Sequence, residues 1–260
     1  MRLKIYQIDA FASKVFEGNP AMVCPLEKWI DDELMQKIAE ENNLSETAFF
    51  VKEKYGYGLR WFTPKAEVDM CGHATLASAY VIFEYLDYNS REITFFTKSG
   101  KLKVNKDKNY FIMDFPIQPI ELCDISNEVE NIFSIKPKAI FKSIDYIIVF
   151  NNEKMIRDIN PNFELLKGLN LRGVCITAKS RNYDFVTRFF APKIGVNEDP
   201  VTGSIFTQLV SYWSKELNKK ELFAKQLSSR GGEVLCKVVN NRVKIRGKVI
   251  KYLEGWIEIR

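Results

Sequence analysis

Arg60-Trp61-Phe62-Thr63-Pro64-Lys65 has a near copy at Arg188-Phe189-Phe190-Ala191-Pro192-Lys193. A turn of small residues follows each block, Cys71-Gly72-His73-Ala74-Thr75 in the first half and Thr202-Gly203-Ser204 in the second. The blocks are 128 positions apart (60 to 188) and the glycines 131 (72 to 203), close to half of the 260 residues. The chain is therefore predicted to contain two similar domains, and ligand sites favour the cleft between such domains.

The composition predicts an ordinary globular protein, because 46% of the residues are hydrophobic and 13% aromatic. Its formal charge of +5 comes from 38 basic and 33 acidic residues scattered along the chain. That scatter argues against a nucleic-acid surface, while the modest positive charge favours an anionic substrate. The five cysteines are far apart. Their spacing predicts neither disulfides nor a metal site, and we expect a cytoplasmic protein with no membrane segment.

Local patterns predict alternating strands and a few helices, with residues 1–118 as the first domain and 130–260 as the second. The expected fold class is α+β, with a mixed sheet rolled around a central helix in each half and the last strands able to return to the first half. Strands are predicted at 3–10, 21–24, 47–54, 58–63, 92–97, 101–105, 109–115, 144–150, 173–178, 183–190 and within 233–260, helices at 31–41, after Gly72, at 163–169 and after Gly203, and a linker at 116–130.

Glu46 is the first candidate for chemistry. It stands at the entry to an apolar strand, and aligning the two copies sets it opposite Val174. A partly desolvated carboxylate present in only one copy suits proton transfer. Taken alone, the local sequence is more typical of a solvated glutamate that caps a strand.

His73 is the only histidine, which excludes a multi-histidine metal site. It follows Gly72 at the start of a helix, so the helix dipole is expected to keep its imidazole neutral. The same dipole is expected to lower the pKa of the Cys71 thiol. Thr202 stands opposite Cys71 in the second copy, which argues against a racemase with two thiols.

The turn of the second copy, Glu198 to Ser204, predicts an anion site. Helix-start amides at Gly203 and the hydroxyl of Ser204 can bind a carboxylate, and Asp199 can act as a second acid or orient the substrate. A simple helix cap is the alternative.

These motifs, taken in order, resemble the PhzF family of phenazine-biosynthesis-like isomerases, over essentially the whole chain. The resemblance rests on Asp9-Ala10-Phe11, Gly18-Asn19-Pro20, Ser45-Glu46-Thr47, Cys71-Gly72-His73-Ala74-Thr75, Arg188-Phe189-Phe190-Ala191-Pro192, Glu198 to Ser204 and Arg230-Gly231-Gly232. It implies a fold like that of diaminopimelate epimerase. It also implies catalysis without a cofactor or metal and a possible homodimer.

The resemblance further implies roles for single residues. Glu46 would be the acid/base, with His73 and Asp199 as catalytic partners. The substrate would be bound by Asn19, Ser45, Gly72, His73, Gly203 and Ser204. The chain departs from the family at Ile205-Phe206, where a small residue and a second histidine are common, and this departure is expected to narrow the pocket.

The sequence therefore predicts an isomerase that moves a proton on a small carboxylate-bearing metabolite through Glu46. Two alternatives stay open at this stage. One is an amino-acid epimerase or racemase that uses Cys71, and the other is a small-molecule binding protein without catalytic activity.

Overall fold

The computed structural model describes residues 1–259, which form two compact units. The first unit combines Met1–Asp114 with the chain from Arg246 onward, and the second contains Phe115–Ile245. No helix among the described residues is long and apolar enough to cross a membrane.

The first unit is mainly strand, with one surface helix and one buried helix. The helices are α1 (Asp32–Asn42) and α2 (Gly72–Tyr85). The strands are β1 (Arg2–Ala10), β2 (Asn19–Leu26), β3 (Glu46–Glu53), β4 (Gly56–Phe62), β5 (Glu67–Val68), β6 (Glu92–Thr97), β7 (Gly100–Asp107) and β8 (Tyr110–Pro116).

The second unit follows a similar plan with additional short helices. Its helices are α3 (Ser126–Phe133), α4 (Glu153–Asp158), α5 (Phe163–Lys167) and α6 (Phe206–Glu216). Its strands are β9 (Glu121–Leu122), β10 (Ala139–Lys142), β11 (Tyr146–Val149), β12 (Val174–Lys179), β13 (Phe185–Ala191), β14 (Val196–Asp199), β15 (Glu221–Gln226), β16 (Gly232–Val239) and β17 (Arg242–Gly247). The last strand, β18 (Val249–Glu258), belongs to the first unit.

Strand pairing shows that the two units repeat one topology. In the first unit β1 is antiparallel to β2 and β18, β2 is parallel to β3, and β3 is antiparallel to β4, which is parallel to β6. In the second unit β10 is antiparallel to β11 and β9, β11 is parallel to β12, and β12 is antiparallel to β13, which is parallel to β15. The predicted α+β fold of two similar units is therefore confirmed.

Helix α2 is the centre of the first unit. Its nine buried residues run from His73 to Ile82 and leave almost no polar face, so it packs among β1, β2, β3, β7 and β18. Helix α6 in the second unit buries Phe206, Leu209, Val210 and Trp213 but keeps a polar side. The segment predicted as a linker, 116–130, contains β9 and the first turns of α3.

The repeated six-residue block turns out to be structural. Arg60 donates two hydrogen bonds to Glu67 at 2.7 and 2.9 Å, and Arg188 donates two to Glu198 at the same distances. Each guanidinium also lies over the phenylalanine two residues later, with 5.2 Å from Arg60 to the Phe62 centroid and 5.0 Å from Arg188 to the Phe190 centroid. In each copy a largely buried arginine fork holds the short fifth strand, β5 or β14, to its neighbour.

We predict that Arg188→Met lowers the free energy of unfolding by about 3 kcal/mol, because it leaves Glu198 and two backbone carbonyls without their donor. Those carbonyls belong to Ile156 and Ile159 and accept from Nη1 at 3.1 and 2.6 Å. Urea unfolding measures the change. The control is Arg157→Gln, an exposed pair with Glu153 that is worth less than about 0.5 kcal/mol. Equal effects of the two variants would contradict the structural role.

Candidate active site

Glu46 is positioned by the end of α1 and the start of β3. Helix α1 ends when Asn43 adopts a left-handed conformation (φ 48°) and donates its amide to the Ala39 carbonyl. The chain then turns through Ser45, and Glu46 begins β3 with Ala21 of β2 as its parallel neighbour. Parallel strands begin at the same edge of a sheet. Asn19, the first residue of β2, therefore starts at the edge where Glu46 lies.

His73 and Cys71 reach the same place from the start of α2. Cys71 is the extended residue before the helix, and its carbonyl accepts from both the amide and the hydroxyl of Thr75. These two hydrogen bonds to the first turn of α2 fix the path of the chain through Gly72. The side chains of Cys71 and His73 are buried.

The three side chains form a row with the imidazole in the middle. Nε2 of His73 lies 3.0 Å from Oε2 of Glu46, and Nδ1 lies 3.5 Å from Sγ of Cys71. The contact with Glu46 is a close ionic approach without hydrogen-bond geometry. Nε2 and Oε2 are both buried and make no hydrogen bond within residues 1–259. Two buried polar atoms are thus left with unused hydrogen-bonding capacity at one point, which is typical of a functional site.

A single metal ion does not suit this row. One ligand atom from each of the three residues lies within 4.8 Å of the others. However, the thiol and the carboxylate contact opposite nitrogens of the ring, whereas an ion bonds to only one nitrogen. The arrangement suits proton transfer along the ring instead.

The charge state of His73 differs from the prediction. Burial by itself lowers the pKa of His73, but the neighbouring Cys71 and Glu46 groups outweigh burial and raise that pKa well above its ordinary value. The predicted neutral imidazole is therefore wrong. A helix dipole contributes only about 0.3–1 kcal/mol at an exposed site, and direct contact with a carboxylate is stronger.

The prediction for Cys71 is also wrong. Burial, followed by the negative charge of Glu46, raises the pKa of the Cys71 thiol above its ordinary value. The helix start was expected to lower it, but a thiolate enclosed beside a carboxylate is disfavoured.

The second predicted turn is held by its own hydrogen bonds. Asp199 ends β14, and its Oδ2 accepts from the hydroxyl of Thr202. The buried Gln226 accepts from the Thr202 amide at 3.0 Å and donates to the Asp199 carbonyl at 2.7 Å. A 3₁₀ turn, Gly203–Ile205, follows and leads into α6. The α-helix predicted to start at Gly203 thus starts three residues later.

The structure brings Glu46, Cys71 and His73 together in the first unit, and Asp199, Gly203 and Ser204 together in the second. Ile205 and Phe206 are fully buried, and Phe206 packs near Phe185 with ring centroids 6.2 Å apart. Both side chains belong to the core, and the expectation that this pair narrows a pocket stays a prediction. The sequence analysis missed Arg172, which donates to Ser204 Oγ at 3.2 Å.

Comparison with known proteins agrees with this description. Residues 8–255 match the PhzC-PhzF family, described as phenazine biosynthesis-like protein. The chain belongs to the PhzC-PhzF family. A curated relative, an uncharacterized isomerase of Pseudomonas aeruginosa, is 48% identical over the full length of both chains. The crystal structure of a PhzF family protein from Enterococcus faecalis is 45% identical, covers both chains completely and superposes with a TM-score of 0.98.

A more distant neighbour shares only the fold. It is a predicted epimerase of Pseudomonas aeruginosa, with 18% identity, a TM-score of 0.78 and coverage of 99% of this chain and 100% of that one. The resemblance to the PhzF family and to an epimerase-like fold is confirmed by these matches.

We predict that the charge on His73 stabilises the fold in a pH-dependent way. Its folded pKa lies above the unfolded value of about 6.5, so the contribution is fully present below about pH 6.5 and is lost as pH rises through the folded pKa. The difference in unfolding free energy between the wild type and His73→Gln should therefore be largest in mild acid. Removing the carboxylate with Glu46→Gln should flatten this dependence. A difference that grows with pH would contradict the assignment.

We also predict that the Cys71 thiol is alkylated slowly in the native protein near pH 7. Burial hides the sulfur, and its raised pKa leaves little thiolate. Peptide mapping after iodoacetamide treatment measures the rate, with the same peptide in urea as the control. Labelling as fast in the native as in the unfolded chain would contradict the description of Cys71.

Proposed function

We propose that this PhzC-PhzF family isomerase moves a proton between two carbons of a small carboxylate-bearing metabolite, with Glu46 as the acid/base. The single observation that carries this proposal is the buried contact of Glu46 with His73. Oε2 of Glu46 lies 3.0 Å from Nε2 of His73, and neither atom has a hydrogen-bond partner within residues 1–259. A base held in this way is available to a substrate proton.

The reaction divides the work between the two side chains. The Glu46 carboxylate takes a proton from a carbon next to a carboxylate or unsaturated system, and the C–H electron pair moves into that system. The same carboxyl then returns the proton to a different carbon, so that no atom is gained or lost. His73, protonated because its pKa is raised, stabilises the negative charge that develops on the substrate.

The turn of the second unit supplies binding in this proposal. Amides at the start of the 3₁₀ turn and the hydroxyl of Ser204 bind the substrate carboxylate. The Asp199 carboxylate is anchored by Thr202 and accepts a hydrogen bond from a donor elsewhere on the substrate. In the first unit, this proposal assigns Asn19, Ser45 and Gly72 to substrate binding beside Glu46.

Cys71 is a weaker candidate for the base. A two-thiol epimerase needs a thiolate, whereas burial raises the pKa of Cys71. The equivalent position in the second unit is Thr202, whose hydroxyl is already bonded to Asp199. The contact of Sγ with Nδ1 suits a role in orienting the ring of His73.

We predict that Glu46→Gln reduces turnover by about 10²- to 10⁴-fold, because a positioned acid/base contributes that much. Metabolites that co-purify with the wild type, identified by mass spectrometry, provide the substrate. Incorporation of solvent deuterium into that metabolite measures the proton transfer. The matched control is Glu53→Gln, an exposed carboxyl at the other end of the same strand.

Three outcomes of this experiment would count against the proposal. Full exchange by the Glu46→Gln variant would remove Glu46 from the mechanism. Loss of exchange in Cys71→Ser with retention in Glu46→Gln would favour the thiol epimerase. A wild type that binds the metabolite without any exchange would favour a binding protein without catalytic activity.

A further inference from the structure

A fully buried acid, Asp145, holds an arginine beside Ser204. The Asp145 side chain is fully buried and accepts from Nε and Nη2 of Arg172 at 3.0 and 2.7 Å. It also accepts from Nε2 of Gln208 at 2.8 Å, and the amide oxygen of Gln208 accepts from the Asp145 backbone at 3.1 Å. A buried carboxylate with this many donors is firmly held. The Asp145 carboxylate therefore holds its donor side chains in fixed positions.

What it fixes is the guanidinium of Arg172. Nη2 donates a further hydrogen bond to Ser204 Oγ at 3.2 Å, and the guanidinium lies 5.6 Å from the centroid of the Phe189 ring. The side chain is still 38% exposed, and Nη1 makes no hydrogen bond within the part of the chain that the structure describes. Arg172 is therefore a preorganised cation with donors left for a ligand.

The internal repeat shows which position of the first copy corresponds to Arg172. The spacing of 131 between Gly72 and Gly203 also relates His73 to Ser204, and the spacing of 128 relates Glu46 to Val174, each the first residue of its strand. Arg172 lies two residues before Val174, where the first copy has Leu44. One copy thus has an acid beside the first turn of its helix, and the other has a cation at the matching turn.

We propose that Arg172 is the specificity-determining residue that selects anionic substrates. It acts directly through Nη1, which donates to a substrate carboxylate oxygen. It also acts through Ser204, because Oγ accepts from Arg172 and so keeps its own proton for donation to the same ligand. This inference rests on the proposed function for the existence of a carboxylate substrate, but it concerns binding and not the proton transfer at Glu46.

The test compares acids with their uncharged amides. Benzoate, succinate and crotonate are titrated against benzamide, succinamide and crotonamide, with the dissociation constants measured by ligand-observed NMR. We expect the wild type to prefer at least one acid over its amide by tenfold or more. We expect Arg172→Met to remove this preference by weakening acid binding and leaving amide binding within twofold. Arg172→Lys, which keeps the charge but not the fork, should restore only part of it.

Two measurements separate a role in recognition from a role in folding. Guanidinium chloride at low millimolar concentration should restore acid binding to Arg172→Ala, which a merely structural defect would not allow. In the wild type labelled with ¹⁵N-arginine, the Nε signal of Arg172, assigned by its loss in Arg172→Lys, should shift on titration with the preferred acid. The matched control is Arg157→Gln, which removes an arginine paired with an acid elsewhere in the same unit. We expect this variant to change the dissociation constants of the acids and the amides by less than twofold.

The outcomes distinguish this inference from the proposed function. A wild type with no preference for any acid, an unmoved Arg172 signal at saturation, or a folded Arg172→Met that keeps the preference would each overturn the role of Arg172. None of them depends on Glu46, since Glu46→Gln retains the acid-binding turn. Loss of deuterium exchange in Glu46→Gln with no role for Arg172 would leave the isomerase proposal standing alone.

Discussion

The parallel pairing of β2 with β3 is the constraint on which the contact between Glu46 and His73 depends. Because both strands begin at one edge of the sheet, the first residue of β3 is delivered to the place where α2 begins among the same strands. Glu46 and His73 are 27 positions apart in the chain, yet Oε2 and Nε2 approach to 3.0 Å. A one-residue slip of β3 would turn Glu46 to the other face of the sheet. The register of a parallel strand pair therefore determines whether the acid and the imidazole meet.

The two copies share the contacts that hold the fold and differ at the residues to which we assign chemistry. The arginine forks at Arg60 and Arg188 are nearly identical in geometry, and each ties a short strand to the sheet. At the strand and helix starts the copies diverge: the first has Glu46 with His73, and the second has Arg172 with Ser204. Because the two units share one strand order, the turns before their strands and helices can differ without a change of fold. The first unit has an acid at these turns, and the second has a cation.

The sequence predicted the elements with strong local patterns and failed where distant contacts decide. The alternating strands, the capped helix α1 and the all-apolar α2 followed from periodicity. The role of Glu46, inferred from its absence in the other copy, stays a prediction. The charge states of His73 and Cys71 were mispredicted because only the local dipole was visible, whereas the nearby carboxylate comes from another element. Arg172 was missed for the same reason, since its partners Asp145 and Ser204 are 27 and 32 positions away. The sequence did offer one signal for Arg172. It lies two residues before Val174, the residue that the repeat aligns with Glu46.

In each unit a cation lies against an acid that is largely or fully buried, and this bears on the proposed proton transfer. Isolated buried charges are costly, but a pair of opposite charges with remaining hydrogen bonds satisfied is tolerated. Glu46 is balanced by His73, and Asp145 by Arg172. In the proposed reaction, the negative charge of Glu46 passes to the substrate when the carboxylate takes a proton from a substrate carbon. The net charge near His73 would be unchanged during that transfer, so little reorganisation would be needed. On this proposal the imidazolium is already charged before the substrate binds, and a single carboxyl can serve as both acid and base.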